Sequence, residues 1–311
     1  DPMDPCWSEY FTKEEIQEIR MHNAPQLQEL PEGLQAYLRV FANKHVLEDL
    51  VELHLRHRFH PSKVDERWAE KAIGEVLDLY YYSYNFFNKT ENDLLRRLWI
   101  FIEKCFDESV FEVVSGEKAS TASSERKNDE RSLPGTTAIP RKTVDAKVDI
   151  LVRHLEHEYA AGEAGVSGGV TCTKFVVESN LKLPKTLKDI IWSLSKRSPG
   201  KIRSIRVPGF VINGTELAIK IMDLPRGNVC RLYSFAAMEF PLTAETFYKG
   251  FVPLLTLVWQ CKSLLKATLK SVQEDDDMFI PTIEMLSRQP TIPACMTSPR
   301  SKKRKAVEKD E

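Results

Sequence analysis

The sequence lacks closely spaced cysteines, a membrane-length apolar run and any clear excess of one charge sign. Its six cysteines are Cys6, Cys105, Cys172, Cys230, Cys261 and Cys295, and no two lie closer than about thirty residues. The CxxC spacing of zinc and redox sites is therefore missing, and a reducing compartment is expected. The start, Asp1-Pro2-Met3-Asp4, is acidic and has no apolar h-region, so no secretory signal is expected there. Its first residue is Asp rather than Met, as in a fragment or a processed product. The most apolar run, 251–259, is interrupted by Pro253 and followed by Lys262 and Lys266. It is far short of the roughly 20 residues that span a bilayer, so a soluble chain with no membrane partner is expected. P-loop, GxGxxG, GxSxG, HExxH and protein-kinase signatures are also missing.

What is present is an ordinary globular composition over 311 residues, with 42% apolar and 29% charged side chains. That length buries one large core or two modest ones without metals or disulfides. The formal charge of −1, from 44 basic and 45 acidic residues, conceals an uneven distribution. Residues 1–114 carry −9, residues 115–207 carry +6 and residues 208–311 carry +2. Within 181–207 the basic side chains are Lys182, Lys185, Lys188, Lys196, Arg197, Lys201, Arg203 and Arg206, against the single acid Asp189. Such a bias suits phosphate neutralisation, which makes nucleic acid the expected partner. Docking on the acidic N-terminal helices is the competing use.

The periodicity predicts three regions. Residues 1–108 read as acidic and mostly helical, with three- and four-residue apolar steps in 33–56, 64–85 and 92–108. Their aromatic run, 80–87, suits core and interhelical packing better than base stacking. Residues 109–272 read as an α/β core, interrupted by a Ser-, Thr- and Lys-rich insert at 115–143 that reads as a loop. Strands are expected at 147–153, 159–163, 206–212, 216–223 and 230–240, and helices at 181–195 and from 244 to about 272. The last region, 273–311, reads as an unstructured tail. Its cluster Lys302-Lys303-Arg304-Lys305 resembles a nuclear-import signal, which predicts a nuclear protein and an import-receptor partner.

The hairpin holds the candidate chemistry. If Leu151 faces Ala161, then Asp149 faces Glu163 and Lys147 faces Gly165, while Arg153 faces Tyr159. Opposed Cβ atoms lie about 4.5–5.5 Å apart, close enough for two carboxylates to repel unless a cation joins them. Hard oxygen donors suit Mg²⁺, which can activate water and polarise a phosphodiester. Asp149 and Glu163 are thus the candidate metal ligands, with Glu117 as a further acid.

This layout resembles the PD-(D/E)XK nuclease-like superfamily, in which a hairpin presents an Asp and then a (D/E)-x-K triplet. The match covers roughly 111–271, and its motif is short. A closer likeness is to uncharacterised fungal proteins of this type. It rests on Gly116-Glu117, Ser120, Ser124, Arg126-Lys127-Asn128, Asp149-Ile150-Leu151, Glu158-Tyr159 and Gly162-Glu163-Ala164. The resemblance implies a mixed α/β fold with a central, mainly antiparallel sheet flanked by helices, and Asp149 and Glu163 as catalytic acids. Gly165 stands where the motif has Lys. Lys147, opposite it, is the candidate replacement, and Lys174 and Lys182 are the others. The hypotheses are then a Mg²⁺-dependent phosphodiesterase, a degenerate nuclease fold kept for binding, or a protein-interaction module using the acidic helices.

Overall fold

A computed structural model describes residues 1–129, 147–166, 177–276 and 292–293. It is a mixed α/β structure built on one open seven-stranded sheet. Six helices precede the first strand: α1 (Lys13–Met21), α2 (Glu32–Arg39), α3 (Leu47–Arg56), α4 (Val64–Tyr81), α5 (Glu91–Arg97) and α6 (Ile100–Lys104). Thr12 and Thr90 start α1 and α5 with capping boxes, each closed by an acid three residues on. The expected helix over 33–56 is two helices, because the chain turns at Asn43 with φ of 62°. Asn is among the few side chains that tolerate that left-handed conformation.

The strands run β1 (Glu112–Ala119), β2 (Lys147–His154), β3 (His157–Gly165), β4 (Arg206–Asn213), β5 (Glu216–Asp223), β6 (Arg231–Ser234) and β7 (Met238–Glu239). Spatial order follows chain order from β1 to β6, and β7 also pairs with β5. All pairings are antiparallel except β3 with β4. Parallel neighbours need a crossover, supplied here by α8 (Leu183–Arg197). The final helix, α9 (Phe247–Asp276), packs along β4, where Thr268 Oγ1 accepts from the Arg206 N–H and donates to the Arg206 carbonyl. No helix of the described residues is long and apolar enough to cross a membrane.

Further expectations need correction. The helix expected over 92–108 divides into α5 and α6, and the strand expected over 230–240 divides into β6 and β7. The polar insert is not wholly loop: its first part holds most of β1 and a short helix, α7 (Thr121–Asn128). β1 escaped the alternation test because it is an edge strand, exposed over most of its length. The aromatic run divides. Tyr84 and Phe86 pack against the core, and Tyr80 donates to the Pro241 carbonyl at 2.6 Å, but Tyr81, Tyr82 and Phe87 are 66–77% exposed.

α8 lies close over one sheet face. A Cβ on Gly209 would stand 2.9 Å from Leu187 and 3.1 Å from Leu183, so any larger residue would make those leucine side chains shift. Where β4 begins, Asp223 is fully buried and binds Arg231 through two hydrogen bonds of 3.0 and 2.6 Å. Arg206 completes that cluster at 3.4 Å. Remaining guanidinium donors of Arg231 reach the carbonyls of Ile19, Arg20, His22 and Asn23, capping the C-terminal end of α1. The N-terminal segment is thereby fastened to the sheet, with Arg206 adding a further bond to the Asn23 carbonyl.

Candidate functional site

The hairpin supplies the expected register at its centre, with Leu151 opposite Ala161 and Ile150 opposite Gly162. Side chains two residues along share a face, so Asp149 and Glu163 lie on the same side of neighbouring strands. Beyond the last backbone pair, Asp149 bonds directly to the partner strand: its Oδ2 accepts the Ala164 N–H at 2.9 Å. The other end of the hairpin differs from expectation. Arg153 pairs with Glu158, not Tyr159, because a bulge shifts the register after Val152.

Lys147 and Glu117 meet on β2 and β1. The Lys147 ammonium donates to Glu117 Oε2 at 2.8 Å, and this exposed contact holds the Glu117 carboxyl below its ordinary pKa. Gly116, with φ of 80°, sits in the β1 irregularity just before Glu117. The ammonium nearest Glu163 comes from elsewhere. Lys182 ends a π-helical turn, Glu178–Lys182, and serves as the N-cap residue of α8. Its Nζ lies 2.5 Å from Glu163 Oε2, and Glu163 is 2% exposed. Of the three lysines considered for the motif position, Lys182 is thus the one bonded to the second acid, Lys147 is bonded to Glu117, and Lys174 lies outside the described residues.

Two carboxylates on adjacent strands match the donor type of Mg²⁺, which is commonly held by one or two carboxylates with water and phosphate oxygens. Among the described residues no group of three or more His, Cys, Asp or Glu forms. A divalent ion here would depend on water and substrate for most of its shell.

The basic segment separates into distinct environments. Lys185, Lys188, Trp192 and Lys196 recur at three- and four-residue steps, which makes them one stripe along α8. Lys196 Nζ lies 4.0 Å over the Trp192 ring and also pairs with Asp129. Exposed Arg197 joins them in lining a cleft of about 710 Å³ between α7 and α8. Lys201 faces Glu274 at 3.8 Å, and Arg203 donates to the Leu224 carbonyl. Arg206 is only 7% exposed and bonds to backbone carbonyls and Asp223, so it belongs to the core. A charge count along the chain cannot separate buried from exposed groups, and it overlooked the Trp192 stripe. The tail cluster Lys302, Lys303, Arg304 and Lys305 lies outside the described residues, as do Cys172 and Cys295.

Ser120, Arg126 and Glu158 have structural uses. Buried Glu158 accepts from Ser120 Oγ at 2.6 Å, Thr121 N at 2.5 Å and Ala122 N at 3.4 Å, which caps α7 against β3. Burial nevertheless pushes the Glu158 pKa up, against the pull of those hydrogen bonds. Ser123 and Arg126 both bind buried Asp189 of α8. These contacts hold α7 and α8 together beside the hairpin.

His54 is buried in α3, while His57 bonds to the Leu53 carbonyl and His60 to Ser62. His154 is half-buried and bonds to the Val110 carbonyl at 2.8 Å. Cys105 and Cys261 are buried free thiols, and burial pushes Cys105 up to about 12, which leaves it inert as a nucleophile. No family model, curated protein or solved structure matches this chain.

Proposed function

We propose that this is a nuclear, nucleic-acid-binding protein with a PD-(D/E)XK nuclease-like core, and that Asp149, Glu163 and Lys182 form its phosphodiester-cleaving centre. The observation that carries the reading is the 2.5 Å contact of Lys182 with Glu163, on the sheet face that also bears Asp149. It supplies the acid, acid and ammonium of the motif despite Gly165.

Asp149 and Glu163 would hold Mg²⁺, which supplies an activated water and a polarised phosphoryl oxygen. The Ala164 N–H fixes the Asp149 carboxylate against β3. Lys182 compensates the buried Glu163 charge and offers an ammonium to charge developing on phosphate. Along α8, the Lys185, Lys188, Trp192 and Lys196 stripe offers cations and one aromatic face to a polynucleotide backbone. The cluster at 302–305 would engage the import receptor.

A second reading, a non-catalytic interaction protein, is favoured by one observation. Tyr81, Tyr82 and Phe87 stand exposed at the end of α4, within the acidic N-terminal part of the chain. A Mg²⁺-dependent cleavage assay on DNA and RNA separates the two. The nuclease reading predicts cleavage that Asp149→Ala abolishes, and binding that weakens steeply with salt and with Lys185→Glu plus Lys188→Glu. Absence of cleavage together with salt-insensitive binding would favour the interaction module.

A further inference from the structure

Four basic side chains are buried in the described structure: Arg206, Lys220, Arg231 and Lys262. Three have a carboxylate partner. Arg206 and Arg231 share Asp223, and Lys262 binds Asp65 at 2.6 Å. Lys220 is different. It is 8% exposed, its Nζ donates to Asn180 Oδ1 at 2.7 Å, and it makes no ion pair among the described residues.

Its position relates it to the candidate site. Lys220 lies opposite Gly209 on β4, and Gly209 lies opposite Ala161 on β3, two residues before Glu163. Opposed residues share a face, so Lys220 and Glu163 project from the same side of the sheet. Asn180, its only hydrogen-bond partner among the described residues, is exposed and sits in the same turn as Lys182. The Lys220 ammonium therefore ends beside the turn that supplies the site's other ammonium.

An ammonium has three donors, and an amide oxygen occupies one of them. Burying a cation without an opposing charge is costly, and packing alone would be served better by methionine. Burial also lowers the Lys220 pKa, with no carboxylate among the described residues to restore it. None of the described residues supplies an opposing negative charge.

We propose that Lys220 is a phosphate-contacting residue of this face, its ammonium receiving a backbone phosphate of bound nucleic acid beside Lys182. This rests on the nucleic-acid reading but not on cleavage. The test is therefore run in EDTA, where hydrolysis plays no part. Binding of a short single-stranded oligonucleotide, and separately of inorganic phosphate, is measured for the wild type, Lys220→Met and Asn180→Asp. Melting temperatures are recorded for all three.

Lys220→Met should keep or raise the melting temperature while weakening oligonucleotide binding about tenfold or more, as loss of a charge-assisted contact does. Asn180→Asp changes an exposed residue, so it should stay folded. Its carboxylate would neutralise Lys220 in place of phosphate and weaken binding to a similar degree. If Lys220→Met fails to fold, loss of binding in Asn180→Asp alone still supports the assignment. Unchanged oligonucleotide affinity in the folded variants overturns it, as does sensitivity confined to inorganic phosphate. Wild type that binds no oligonucleotide overturns both this inference and the nucleic-acid reading. Binding without any later Mg²⁺-dependent cleavage removes only the nuclease.

Discussion

Two buried charge clusters project from opposite faces of the same sheet, and they are built differently. At the start of β4, Asp223 is enclosed by Arg231 and Arg206, and leftover guanidinium donors reach backbone carbonyls. At the end of β3, Glu163 has Lys182, Asp149 is half-buried on the next strand, and Lys220 has an amide but no acid. The first cluster is closed on itself and fastens α1 to the sheet. The second has a cation with no carboxylate partner among the described residues, bonded to an exposed residue of the Glu178–Lys182 turn. Stability accounts for the closed arrangement, whereas the open one is where we propose that a ligand binds.

Breaking the closed cluster should have the largest effect. Arg231→Met leaves Asp223 buried without its two-point partner and releases four carbonyls at the end of α1. A loss of about 3–5 kcal/mol is expected in urea unfolding. A loss under about 1 kcal/mol would remove the contrast between the clusters. In the open cluster, Lys182→Met strands the buried Glu163 carboxylate and should cost about 2–3 kcal/mol. Adding Glu163→Gln should recover most of that loss, because the amide carries no charge. Failure of the second change to restore stability would mean that Lys182 acts through packing instead.

His54 shows a third way to tolerate burial, which is to stay neutral. Burial, with Arg58 second, lowers its pKa in the fold. The unfolded chain then binds the proton first, so stability is full above about pH 6.5 and falls as pH drops below it. His54→Leu should flatten this dependence by roughly 1 kcal/mol between pH 7 and pH 5. Thermal melts at the two pH values measure it, and parallel curves would contradict the assignment.

The smallest effect is expected at Glu158, whose raised pKa means that the fold favours its protonated form. Wild type should therefore gain stability relative to Glu158→Gln as pH falls from neutrality toward the carboxyl range. The difference at neutral pH should stay under about 1 kcal/mol, since the amide oxygen still accepts one α7 N–H. A neutral-pH loss well above that would mean the ionised carboxylate is indispensable to the cap.

The parts of this contrast that local pattern encodes were legible beforehand. Alternation in β2 located the hairpin, and the pairing of Leu151 with Ala161 put Asp149 and Glu163 on one face. β5 appears at the residues expected, and β4 extends one residue further, because both carry apolar runs bounded by turn residues. β1 and α7 were hidden, since an edge strand and a short polar helix have little apolar periodicity. Lys182 had been one lysine among several, and only the fold decides that its ammonium meets Glu163. Lys220 was missed altogether. Nothing near it in sequence signals that Gly209 brings α8 down beside it or that Asn180 is its partner. Arg206 failed as a surface cation for the converse reason, since burial is a long-range property.

The most direct test of the central claim compares Mg²⁺-dependent cleavage by wild type and the Glu163→Gln, Lys182→Met double variant, with matched melting temperatures. The account predicts cleavage by the wild type and a loss of about 100-fold or more in the equally stable double variant. Equal rates, or a wild type inert on every DNA and RNA substrate, would contradict it.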